Sequence, residues 1–167
     1  EHRSGDFVTD AEVNRLINVY GKELHGLLVK CGIHQTESVQ TILANGSESY
    51  DLEDDHLALL SVFRLDDTTR VQLKRHDARL RPDTTQTAPA NTDRLMNEAI
   101  QFSPTPSEGT YELVYIPTFT EMDDDTDELE GVNGWEEYIV VAASIPIYIK
   151  EQYDPKELKQ EKAELYQ

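Results

Sequence analysis

Residues 38–73 read SVQTILANGSESYDLEDDHLALLSVFRLDDTTRVQL, and their reading decides the fold. Residues 38–44 and 48–52 flank Asn45-Gly46, a pair that tolerates positive φ and marks a hairpin turn between two strands. The run Leu57-Ala58-Leu59-Leu60-Ser61-Val62-Phe63 follows, within residues 56–65. Its length suits either a buried strand or a short helix. Asp66-Asp67 then offers a turn into residues 69–73, and that turn favours the strand. The middle of the chain is therefore sheet.

Downstream of this stretch, residues 75–80 suggest a short helical turn, and residues 83–92, rich in Thr, Pro and Asp, an exposed loop. Residues 94–96 and 99–102 read as two short strands around Asn97-Glu98. After a Pro-rich turn, residues 110–116 alternate as a strand with Tyr111, Leu113 and Tyr115 on one face. Residues 119–133 form an acidic loop. An apolar helix is predicted over residues 135–153, with Trp135, Tyr138, Ile139, Ala142, Ile145 and Ile149 at helical spacing and Pro146 expected to kink it. Asp154 as N-cap and Pro155 at the first helical position open a last helix, gripped through Leu158, Ala163, Leu165 and Tyr166.

Upstream, Thr9-Asp10-Ala11-Glu12 reads as a capping box. Apolar residues at Val13, Leu16, Ile17, Tyr20, Leu24, Leu27 and Leu28 continue it as an amphipathic helix. Gly21 and Gly26 interrupt this helix, and Gly32 ends it. The whole order predicts an α+β fold: a helical bundle with a β-sheet insertion between the first and second long helices. Residues 1–33 supply the first bundle helix, 34–118 the β-rich insertion, 119–133 the acidic loop, and 134–167 the C-terminal helices that complete the bundle and extend from it. Glu1 stands where a Met would begin a chain, and the helical pattern still runs at Gln167, so further chain is expected at the ends. No secretory leader is visible in what is present.

Composition narrows the function. The 167 residues carry a formal net charge of −18 and are 38% hydrophobic, enough for a modest core. Mean hydropathy is −0.59, and no apolar run approaches the ~18 residues of a membrane span. A free-standing nucleic-acid binder needs the opposite charge balance. Lys and Arg are absent from residues 95–149, whereas residues 64–81 are locally basic. Segments of opposite sign could attract neighbouring copies. The single cysteine, Cys31, excludes an internal disulfide and reads as a buried or half-buried structural thiol.

Catalytic motifs are absent: there is no Gly-rich phosphate loop, nucleophile elbow or His-Glu-x-x-His, and the five histidines are scattered. The chain is expected to be no enzyme and to need no cofactor. Asp123, Asp125 and Asp127 match the opening ligands of a calcium loop, but Glu128 occupies the sharp-turn Gly position and Gly134 the bidentate Glu position. No metal site is expected there. Asp123, Asp124, Asp125, Asp127, Glu128 and Glu130 read instead as a hydrated loop that acts through charge. Tyr111, Tyr115, Trp135 and Tyr138 read as core or seam residues joining sheet to helices, with Trp135 as the anchor. Lys150, Lys156, Lys159 and Lys162 are the first cations after the acidic stretch. With Tyr153, Leu158, Leu165 and Tyr166 they make the C-terminal helix a candidate docking element.

Three segments add a resemblance. They are Glu98-Ala99-Ile100-Gln101-Phe102-Ser103-Pro104-Thr105-Pro106, Gly109-Thr110-Tyr111-Glu112-Leu113-Val114-Tyr115-Ile116-Pro117, and Asn133-Gly134-Trp135-Glu136-Glu137-Tyr138-Ile139-Val140-Val141-Ala142-Ala143. The helix that begins in the third segment ends Lys150-Glu151-Gln152-Tyr153-Asp154, before a Lys/Glu-rich helix. This pattern resembles the bacteriophage head-to-tail adaptor (neck, or head completion) proteins, and its order of elements is similar to the tail tubular A, or gatekeeper, proteins of short-tailed phages. Pro146 departs from that pattern. The resemblance implies a structural virion protein in a homo-oligomeric ring, usually of twelve copies, between the portal protein and a downstream tail or nozzle protein. Viral DNA would pass through the lumen without sequence-specific binding, and acidic surfaces would let it slide. No membrane is implied. Two other classes remain open: a tail-completion or stopper protein outside the neck, and a small acidic enzyme or DNA-mimic inhibitor.

Overall fold

The computed structural model describes residues 8–33, 36–66, 69–75, 90, 92–106, 108–123, 127 and 134–165. The chain is α+β and divides into two compact units. One is built from both ends, Glu1–Gln35 with Phe119–Gln167; the other is the middle, Thr36–Thr118.

The first unit holds α1 (Asp10–Lys30), α2 (Glu136–Lys150) and α3 (Lys156–Leu165). Thr9 caps α1, its hydroxyl accepting the Glu12 amide at 3.2 Å. The reciprocal half of the capping box is diverted, because the Glu12 carboxylate takes the Lys150 ammonium at the far end of α2. At its other end α1 turns through Gly32 at φ +74°, with the Gly32 amide on the Val29 carbonyl and the Ile33 amide on the Leu28 carbonyl. That is a Schellman closure. Cys31 is its C-cap and lies exposed, so the expectation of a buried or half-buried thiol is corrected: capping at a helix end leaves the side chain in solvent.

α2 continues through Pro146 but stops at Lys150, short of the expected Tyr153. Gln152 adopts φ +63°, its amide bonding the Ile149 carbonyl while the Tyr153 amide bonds Tyr148. This is the closure used by α1, built on a glutamine instead of a glycine. α3 starts one residue later than expected, where the Lys156 amide donates to the Asp154 carboxylate at 3.1 Å. The core of this unit is Leu24, Leu28, Tyr138, Ile139 and Ala142, with Ile17, Tyr20, Leu27, Trp135 and Leu165 packed around it. Gly21 is buried where an added Cβ would come within 2.6 Å of the Phe119 ring; around Gly26 there is open space.

The second unit contains β1 (Ser38–Ala44), β2 (Ser49–Asp51), β3 (His56–Asp66), β4 (Thr69–Gln72), β5 (Lys74–Arg75), β6 (Thr92–Met96), β7 (Ala99–Ser103) and β8 (Gly109–Pro117). They form two four-stranded sheets, ordered β1-β8-β3-β4 and β2-β7-β6-β5. The Asn45-Gly46 hairpin expectation is corrected. β1 pairs with β8 and β2 with β7, so the turn passes the chain from one sheet to the other. Asn45 holds that turn: its side chain accepts the Ser47 amide, and its own amide donates to the Tyr50 hydroxyl. Tyr50 in turn packs its ring on Phe102, at 5.7 Å, which commits the three-residue β2 to the β7 side. A two-residue hairpin does join β6 and β7 across Asn97-Glu98, with Asn97 at φ +55°.

Two further expectations are corrected here. Arg75 belongs to β5, which pairs in parallel with β6, and is not the start of a helical turn; residues 76–80 lie outside the described residues. Ala90, placed in an exposed loop from its composition, is fully buried, and its amide donates to the Tyr111 hydroxyl at 3.1 Å. The core is otherwise made of inward residues of both sheets: Ile42, Val62, Ile100, Phe102, Tyr111 and Leu113 among them. Phe102 and Tyr111 stack at 4.6 Å.

Candidate docking surfaces

The C-terminal element was the expected docking surface, and its residues fall into two groups. Lys150, Lys162 and Leu165 are used inside the helical unit. Lys150 pairs with Glu12, and Leu165 packs on the α1–α2 core. Lys162 donates to Glu23 Oε1 at 3.0 Å and sits over the rings of Tyr20 and Tyr138 at 4.8 and 5.1 Å. The Tyr138 hydroxyl donates to the same carboxylate oxygen at 2.8 Å. Burial opposes the charge on both Glu23 and Lys162. The hydrogen bonds among the three groups outweigh it, holding the carboxyl below and the ammonium above their ordinary values. For Tyr138, burial and the Glu23 carboxylate both push the phenol up.

This Glu23–Tyr138–Lys162 clasp is the main polar tie of α3, a helix with no buried residue of its own. Sequence spacing could not show it, since Glu23 and Lys162 are 139 residues apart. The second group faces outward. Tyr153 is 62% exposed with its ring against Tyr148, Lys156 and Lys159 are exposed, and Leu158 is half-buried. Tyr166 lies outside the described residues.

The acidic loop is pinned at its start by an unanticipated residue. The Asn18 side chain donates to the Met122 carbonyl at 2.9 Å and accepts the Met122 amide at 2.8 Å. The Asp123 amide then donates to the Asp127 carboxylate at 2.7 Å. Asp123 and Asp127 are exposed; Asp124, Asp125, Glu128 and Glu130 lie outside the described residues. Among the described residues no three His, Cys, Asp or Glu side chains are grouped to hold a metal, and no helix is long and apolar enough to cross a membrane.

The aromatic residues expected at one seam are divided between the units. Tyr111 and Tyr115 are buried in the β unit, 1% and 4% exposed. Tyr138 belongs to the core of the helical unit, and Trp135 packs against that core. Trp135 stands at the N-cap of α2 without a side-chain cap bond, and Gly134 beside it donates its amide to Glu136 at 2.8 Å.

In the β unit, three of the four described cations of the locally basic stretch are paired from within. Arg64 pairs with Asp66 at 2.8 Å, Arg70 with Glu112 at 3.0 Å, and Arg75 with the buried Asp93 at 3.1 Å. Three cations that could have steered a neighbouring copy are thereby satisfied internally. Burial pushes the Asp93 carboxyl up, with Arg75 working against it. A cleft of about 580 Å³ opens beside β2 and the β6–β7 turn, lined by Asp51, Glu53, Asp54, Glu98 and His56 among others. His56 stacks on Tyr115 at 5.3 Å, and the Tyr115 hydroxyl donates to Asp55 at 2.8 Å. Burial, then Asp55, pushes the Tyr115 phenol up to about 12, and burial holds His56 below its ordinary value.

A family model described as SU10 adaptor protein matches residues 2–166 of the chain. No curated protein sequence matches it.

Proposed function

The chain belongs to the SU10 adaptor protein family, and on that premise we propose that it is a structural virion protein joining the head of a tailed bacteriophage to its tail. The family match along nearly the whole chain is the observation that carries this reading. In it the subunits form a ring of twelve below the portal protein, contact a tail or nozzle protein on the other side, and surround the DNA as it passes. The likeness to tail tubular A, or gatekeeper, proteins belongs to the same proposal. The helical unit is taken as the bundle and the β unit as its insertion.

The chain works as a scaffold and not as an enzyme. Its net charge of −18 supports the sliding role, because carboxylates offer phosphates no counter-ion to displace. The outward group of α3 and its approach, Tyr153, Lys156 and Lys159, is the docking face. The inward group, Lys150, Lys162 and Leu165, holds that face on the bundle. The acidic loop, rooted by Asn18, meets a basic partner surface and should weaken that contact as salt rises.

The test is a phage lacking this chain. DNA-filled heads and separate tails should accumulate, and adding the purified protein should restore joined, infective particles. A chain truncated before Pro155 should fold its β unit and fail to restore them. Normal tailed particles made without the chain would refute the proposal.

A further inference from the structure

Four strands end the two sheets of the β unit, and three of them are closed to pairing. β4 has four residues and carries Arg70, β2 has three and carries Asp51, and β5 is the pair Lys74–Arg75. Short length and charge are the usual devices that stop sheet edges from recruiting another strand. β1 has neither. It runs seven residues, SVQTILA, without charge or proline, in unbroken register with β8 on one side only. The other side of its backbone therefore presents amides and carbonyls that no strand of the two sheets takes up. On its outward face Val39 is 55% exposed and Leu43 74%, with Thr41 exposed between them.

We propose that β1 is a self-association surface, on which two copies of this chain pair strand to strand, antiparallel, about a two-fold axis at Thr41. Two features of the strand select a second copy as its occupant. The first is its internal symmetry: Val39 and Leu43 stand equally far from Thr41. An antiparallel pair centred there sets Val39 against Leu43 of the second copy, twice over, with the two Thr41 side chains between. Cross-strand pairs of this kind are what stabilise a sheet. The flanks agree, since Glu37 then faces Asn45 of the second copy and no like charges meet. The second is charge: two chains of net charge −18 repel, and a surface free of carboxylates is where their approach is opposed least. β1 is the one uncharged edge among the described strands.

Seven residues on each side bury less than the ~1,200 Å² of a standard interface. The pair is therefore weak and reversible, a property of the free chain at high concentration. A two-fold contact cannot by itself close a head-to-tail ring, so the inference stands beside the ring reading and does not rest on it.

Sedimentation of the full chain over a wide concentration range tests it. A reversible monomer–dimer equilibrium is expected, with Leu43→Lys moving its midpoint at least tenfold upward and Val71→Lys, on the β4 edge, leaving it in place. Circular dichroism confirms that each variant is folded. In a Cys31→Ser background, Thr41→Cys should cross-link to dimers under oxidation much faster than Val71→Cys on the β4 edge. A chain that stays monomeric at all concentrations, an unmoved midpoint in Leu43→Lys, or cross-linking no faster through Thr41→Cys than through Val71→Cys would each overturn the pairing. A neck ring found in virions alongside any of those results would leave the adaptor reading standing.

Discussion

The two units are held together by different physics. The β unit has a dry core drawn from both sheets, with Phe102 packed between Tyr50 and Tyr111 and its polar ties, such as Arg75–Asp93, added at the margin. The helical unit has a smaller apolar centre, and its third helix carries two partly buried leucines, Leu158 and Leu165, and the Glu23–Tyr138–Lys162 clasp. Close packing is costly to disturb, whereas a part-exposed polar tie contributes only about 1 kcal/mol. One region is thus built to keep its shape, and the other carries an element that can be exchanged at small cost.

The comparison breaks first at Phe102, where the largest effect is expected. Phe102→Ala should cost about 3–5 kcal/mol in denaturant unfolding of the β unit, because the ring is fully buried. A loss under 1 kcal/mol would show that this core is not close-packed. Next comes the clasp. Lys162→Met should cost about 1 kcal/mol, and hydrogen exchange should show it in the α3 amides while protection in the β unit is unchanged. Equal loosening in both regions would contradict the two-unit description.

The glycines of α1 sharpen the helical side. Gly26→Ala fills open space and should stabilise the chain by up to about 1 kcal/mol through helix propensity. Gly21→Ala gains the same propensity but drives a methyl into the Phe119 ring, and overpacking of about 1–3 kcal/mol should reverse the sign. Thermal melts of the two variants should therefore move in opposite directions; parallel shifts would mean the Phe119 ring moves aside freely.

The smallest effect concerns pH. Burial depresses His56, so as the pH falls below about 6.5 the unfolded chain takes up a proton that the folded chain resists. The contribution is complete above that point and is lost on acidification from it toward the folded value. Wild type should lose more stability than His56→Gln between neutral and mildly acidic pH. Equal losses would show that the depressed proton affinity of His56 has no effect on folding.

What was legible in the sequence was periodic or locally capped. β1 and the long β3 followed from apolar patterning, and Thr9 and Gly32 bounded α1 where residue types suit the required backbone. What escaped had no local signature. Gln152 ends α2 in a left-handed conformation that glutamine does not advertise, so the helix seemed to reach Tyr153. Asn45-Gly46 has the composition of a hairpin turn, but the choice of strand partners was made by Tyr50 packing on Phe102, 52 residues away in sequence. The C-terminal helix was identifiable as charged and amphipathic. Which of its lysines face inward depends on Glu12 and Glu23 at the opposite end of the chain, and no window of sequence holds both partners.

The central claim is that this chain is a neck adaptor, and a cryo-EM reconstruction of the virion at the junction of head and tail tests it most directly. The account predicts a closed ring of copies between portal and tail, with Tyr153, Lys156 and Lys159 against a neighbouring protein and DNA within the lumen. A chain found in single copies away from that junction, or absent from the particle, would contradict it.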